Sequence, residues 1–198
     1  MTSESSFPYR PGPVIPSAAP APRRSSIAIA AISTLVGSAV LGLLGGLVWS
    51  ALAPRVAYVV VSRGSADVTN AETPAFITGD VWYCAIAVLG GLVIGTFAYL
   101  YAIRKYGPVP MAAVLVGSFG AGYLARWVGQ NLGLAKFNAD LGLAKVGTIL
   151  HAPPVLGSDP GTVLWSAIAL WTLAACLVCG VFITLSAVGD RNAPGRAR

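Results

Sequence analysis

Charge is the scarcest property of this chain. Only 10% of its 198 residues are charged, well under half of the roughly 25% usual in a soluble domain. Acids are rarer than bases, 7 Asp and Glu against 13 Lys and Arg, and there are only one histidine and three cysteines. So sparse a polar complement argues against an ordinary soluble enzyme, a disordered regulator or a nucleic-acid partner. Cys176 and Cys179 form a CxxC, but Cys84 and His151 lie far away in sequence, so no four-ligand zinc spacing exists. The GxSxG, HExxH, P-loop and dinucleotide-binding fingerprints are missing. The sequence therefore predicts no catalytic residue, no cofactor, no metal ligand and no enzyme.

Hydrophobic residues make up 56% of the chain, and the mean hydropathy is +0.73. Charge-free stretches run between Arg24 and Arg55, Asp80 and Arg104, Lys105 and Arg126, and Asp159 and Asp190. A helix needs about 20 apolar residues to cross a hydrocarbon core of about 30 Å. These runs do not alternate as barrel strands do. The expected fold is all-α: a polytopic four-helix transmembrane bundle over 26–188, with spans at about 27–52, 81–103, 109–128 and 163–188. The apolar run Ile27–Leu52 is too long for a cleaved signal core of roughly 7–15 residues. Pro54 would end the first span, Asp80 cap the second, Gly107, Pro108 and Pro110 turn the chain, and Asp159-Pro160 open the fourth.

Basic residues set the expected orientation. Arg10, Arg23, Arg24, Arg104, Lys105, Arg191, Arg196 and Arg198 fall on one face, while Arg55, Arg63, Arg126, Lys136 and Lys145 are spread over longer loops on the other. The positive-inside rule places both termini in the cytoplasm of a multi-pass inner-membrane protein. Trp49, Trp82, Trp127 and Trp165 then fall at the outer interface and Tyr99, Tyr101 and Tyr106 at the inner one, as an aromatic belt.

Residues 1–25 contain six prolines and read as a disordered cytoplasmic tail; 189–198 read as a basic cytoplasmic tail. Two loops are expected outside the membrane. The first carries β-branched Val56–Val61, the turn residues Arg63-Gly64-Ser65, and Ala66–Thr69, which predicts a small β-hairpin. Two strands alone are marginal, so this hairpin would have to lean on the other loop or a partner. The second loop repeats Leu-Gly-Leu-Ala-Lys at 132–136 and 141–145, and Leu134, Phe137 and Leu141 have helical spacing.

Small residues recur every fourth position. Ala30, Thr34, Ser38, Gly42, Gly46 and Ser50 do so in the first span, Ala87, Gly91 and Gly95 in the second, Ala113, Gly117, Ala121, Ala125 and Gly129 in the third, and Thr172, Cys176, Gly180 and Thr184 in the fourth. Such ridges let helix backbones approach closely in lipid, which makes Ser38, Gly42, Gly46, Gly91, Gly95, Gly117 and Ala121 the expected packing residues. Whether the seams serve the bundle or a partner stays open. Arg126 is the one charge near the interior of a span. With Trp127 it is either a snorkelling interface residue or a contact to a ligand or headgroup.

Trp49-Ser50-Ala51-Leu52-Ala53-Pro54, Phe76, Asp80-Val81-Trp82 and Arg126-Trp127-Val128-Gly129 resemble short motifs of an uncharacterised actinobacterial family of four-span membrane proteins. The resemblance covers roughly 30–188. It implies an actinobacterial inner membrane and no established activity. The expected function is a non-catalytic accessory or assembly protein of the cell envelope, partnered by the bilayer and by other membrane proteins or itself. A small-solute or lipid transporter subunit is the alternative.

Overall fold

The computed structural model describes residues 24–69, 74–107, 109–156 and 162–192. The expected Pro-rich tail up to residue 23, and 193–198 of the basic tail, lie outside the described residues. Among the described residues four helices are long and apolar enough to cross a membrane. In chain order the elements are α1 (Arg24–Leu52), β1 (Val56–Ser62), β2 (Ser65–Val68), α2 (Pro74–Ala98), α3 (Met111–Asn131), α4 (Leu134–Leu143), β3 (Ile149–Ala152) and α5 (Thr162–Asn192). α2 continues through a π-helical turn, Tyr99–Ile103, into a last turn, Arg104–Tyr106. The whole rod of 33 residues is about 50 Å long.

Several helix limits differ from the expected ones. The second helix begins at Pro74 rather than near 81, so Asp80 lies in its second turn and is not its cap. Proline suits a first helical position because its fixed φ is already helical and its missing N–H would be unpaired there. Nothing between Pro74 and Asp80 interrupts the helix it starts. The third and fourth helices also run past their expected ends, to Asn131 and Asn192.

The all-α expectation is amended by a small sheet of order β2-β1-β3. β1 and β2 form the expected hairpin, turning at Gly64 with φ 77°, a conformation that glycine adopts without a Cβ penalty. The added strand β3 comes from the second loop and pairs antiparallel with β1, Val56 opposite Ala152 and Val59 opposite Ile149. The hairpin thus leans on the other loop. Gly133, with φ 93°, separates α3 from α4. The ring of Phe137 on α4 packs edge-on against Tyr58 on β1, centroids 5.9 Å apart. Leu156, just beyond β3, joins the same buried cluster as Trp49 and Ala53, so the sheet sits on one end of the bundle.

The helices pair by two seams. Against α1, Gly42 meets the backbone of Ala121 and Gly46 that of Ala125 on α3; Gly117 faces Ser38. Against α2, Gly91 meets the carbonyl of Trp171 and Gly95 that of Ala175 on α5. Contacts advance in the same direction on both partners, so α1 runs parallel to α3, and α2 parallel to α5. The α5 ladder is displaced from its expected phase. Trp171, Ala175 and Cys179 are buried, whereas Gly180 and Thr184 face outward. The Cys179 thiol donates to the Gly95 carbonyl at 3.4 Å.

The bundle is inside-out in composition. Its buried positions include Gly42, Gly46, Gly91, Gly95, Ser38, Ala121 and Ala125. Its surface carries Ile29, Ile32, Val36, Leu89, Phe97, Val116, Leu173 and Leu185, each more than half exposed.

A Cβ built at Gly42 would stand 2.5 Å from the Ala121 oxygen, and one at Gly91 2.5 Å from the Trp171 oxygen, while Gly180 opens on empty space. Gly42→Ala and Gly91→Ala are therefore expected to destabilise the bundle by about 1–3 kcal/mol. Gly180→Ala is expected to leave it unchanged or slightly firmer. Denaturant unfolding in detergent micelles checks the contrast.

Candidate functional site

Two places in the fold gather side chains with chemical character. The first is a buried aromatic cluster near the sheet end. Trp49 on α1 is fully buried, not interfacial as the belt pattern predicts. Its indole Nε1 donates to the Gly79 carbonyl on α2 at 2.9 Å. The neighbouring Tyr83 ring packs edge-on against it, 5.3 Å away, and the Tyr83 hydroxyl donates to the Gly122 carbonyl on α3 at 2.7 Å. These two bonds stitch three helices. Buried indoles and phenols need such partners, since an unpaired buried donor costs about 1–3 kcal/mol. Gly129 gives the Trp49 ring its notch, and Gly45, Gly90 and Gly122 do the same for Trp171. Trp82, Trp127 and Trp165 are exposed, 40%, 56% and 55%.

Arg126 stands beside this cluster on α3, half-buried. Its Nε is enclosed with no hydrogen-bond partner among the described residues. The Trp171 indole N–H is buried beside the Tyr83 hydroxyl. Trp127, next to Arg126, points outward, so the structure does not bring those two expected contact residues into one pocket.

The second place is a groove between α1 and α2 at the end away from the sheet. Its main section is a cavity of about 580 Å³ lined by Ser33, Thr34, Gly37, Ser38, Val40 and Leu41 of α1 and Val93, Ile94, Phe97, Ala98 and Tyr101 of α2. A lower section of about 260 Å³ reaches Ser26 and Tyr106. The π-helical turn forms part of this wall; there the Arg104 N–H reaches back to the Tyr99 carbonyl. π-Turns inside α-helices often coincide with functional positions. Sequence reasoning missed this groove, for apolar periodicity carries no mark of a π-turn.

The packing residues Ser38, Gly42, Gly46, Gly91, Gly95, Gly117 and Ala121 all lie at internal seams. Cys84, Cys176 and Cys179 are free thiols. His151 is exposed on β3, opposite Ala57. Among the described residues no group of three His, Cys, Asp or Glu side chains stands close enough to hold a metal. No family model, curated protein or solved structure matches the chain.

Tyr83→Phe removes one inter-helix hydrogen bond and should lower stability by about 1 kcal/mol. Trp49→Ala removes a filled notch and its bond together and should cost about 3–5 kcal/mol. Unfolding midpoints in micelles check both.

Proposed function

We propose that the chain is a multi-pass membrane protein of the cell envelope that acts without catalysis, as an accessory or assembly component. Its inside-out composition supports membrane embedding: a helix surface of Leu, Ile, Val and Phe over glycine-lined seams suits hydrocarbon and not water. The positive-inside rule puts both termini and the Arg104-Lys105 turn in the cytoplasm and the sheet end outside. The resemblance to the actinobacterial four-span family belongs to this reading.

The observation that carries the accessory role is the cap. It is built from both loops and exposes Leu143 at 87%, Val146 at 69% and Ile149 at 56%. β2 and β3 are the outer strands of its sheet, each with one unpaired edge. Exposed apolar side chains beside an open strand edge form the kind of surface that partner proteins cover. The seams are consumed within the bundle, so a partner is met at the cap.

A transporter subunit for a small solute or lipid is the second reading, favoured by the lateral groove and the enclosed Arg126. Reconstituted flux, abolished by Arg126→Ala, would establish it in place of the first.

Leu143→Asp with Val146→Asp should abolish co-purification of the native partner in mild detergent and leave the unfolding midpoint unchanged. Reporter tags at the two termini should both read cytoplasmic; opposite compartments would overturn the topology.

A further inference from the structure

The α1–α2 groove has a definite chemistry. Its two sections share Ser33, Thr34 and Tyr101, so they form one furrow from Ser26 to Leu41. Fifteen helical rises make that about 22 Å. One leaflet of the hydrocarbon core is about 15 Å deep, so the furrow crosses a whole leaflet and opens at its headgroup level.

The walls favour hydrocarbon. Of the four hydroxyls on the α1 side, the three of the main section are turned to their own helix: Ser33 and Thr34 donate to the Ala30 carbonyl at 2.9 and 2.8 Å, and Ser38 to the Thr34 carbonyl at 2.8 Å. Opposite them Phe97 and Tyr101 stack, centroids 5.8 Å apart and planes 8° from parallel. A polar solute lying in the main section would find the donors of the α1 wall already engaged. A methylene chain needs none.

The mouth is cationic. Tyr106 lines its lower end, and the Lys105 ammonium sits 5.2 Å over the Tyr106 ring. Arg24 opens α1 at the same end and is exposed. Asp67, Asp80 and Asp140 belong to the sheet side of the molecule, and Asp190 is on α5, which does not line the groove.

We propose that this groove is a binding site for an anionic phospholipid of the inner leaflet, one acyl chain lying along α1 and α2 and the phosphate held between Arg24 and Lys105. The proposal rests on the membrane-spanning reading above and is independent of any partner at the cap.

The test uses the full chain purified in mild detergent, with bound lipid measured by native mass spectrometry against added dioleoyl-phosphatidylglycerol or dioleoyl-phosphatidylcholine. The anionic lipid should bind at one site at least about 5-fold more tightly. Neutralising Lys105→Gln or Arg24→Gln should each weaken it about 5-fold, the share of one surface cation. A Cβ at Gly37 meets nothing within 4 Å, so Gly37→Phe should fill the furrow without disturbing the fold; about 10-fold weaker binding at an unchanged unfolding midpoint is expected. Equal affinity for the two lipids, or wild-type binding by Gly37→Phe, overturns the proposal. So does a Gly37→Phe chain that loses a wild-type dimer with its lipid unchanged, which gives the furrow to a second copy. A chain that stays dissolved without detergent sinks the membrane reading itself, a separate and recognisable failure.

Discussion

Backbone meets backbone at four glycines, and the rest of the structure follows from that approach. Gly42 and Gly46 admit the main chain of Ala121 and Ala125, and Gly91 and Gly95 that of Trp171 and Ala175. Among apolar helices in lipid, burying Leu against Leu gains little, because the alternative neighbour is also hydrocarbon. Dispersion between closely packed atoms, summed along a seam, remains available. The seams are spaced by one helical turn and a fraction, so each runs along its helix instead of touching at one point. Along both seams the partners are parallel, α1 with α3 and α2 with α5, although successive helices in the chain run antiparallel.

The sheet is a consequence of this pairing. α1 and α3 deliver their C-terminal ends side by side, where the Trp49 ring fills the Gly129 notch. β1 leaves one end and the α4–β3 segment leaves the other, so the two loops start as neighbours. Val56–Ser62 then becomes the central strand, flanked by one strand from its own hairpin and one from the distant loop. Loop closure that would otherwise cost entropy has been settled by the helices beneath.

The spans, the small-residue ladders and the hairpin were legible because each is written in local spacing. Charge gaps mark the apolar spans, though not the ends of the helices, and Arg63-Gly64 marks the turn. What was not legible is which ladder meets which, since a ladder on α1 matches one on α3 as readily as one on another molecule. The same ambiguity hid the phase of α5, where Gly180 and Thr184 of the regular ladder face outward while Trp171, Ala175 and Cys179 turn in. Trp49 misled for a related reason. A tryptophan near a helix end fits an interfacial belt by position alone, and only the glycine notch across the seam reveals that its ring turns inward. β3 and the π-helical turn have no local signature, because each depends on what lies beside it.

The two ends of the bundle are held differently, and this asymmetry links packing to function. At the sheet end, Trp49 and Tyr83 fix α1, α2 and α3 to one another through side-chain bonds to helix carbonyls. Those carbonyls use a second lone pair, so the helices keep their own ladders. At the far end the groove lies between α1 and α2, and the Ser33, Thr34 and Ser38 hydroxyls on the α1 wall stay within their own helix. Among the described residues no hydrogen bond joins the two helices there. Under the proposed reading, the tied end would present a fixed surface to a partner and the grooved end would admit a flexible chain. The ring stack of Tyr99 on Phe182, 4.9 Å between centroids, ties α2 to α5 through the π-turn.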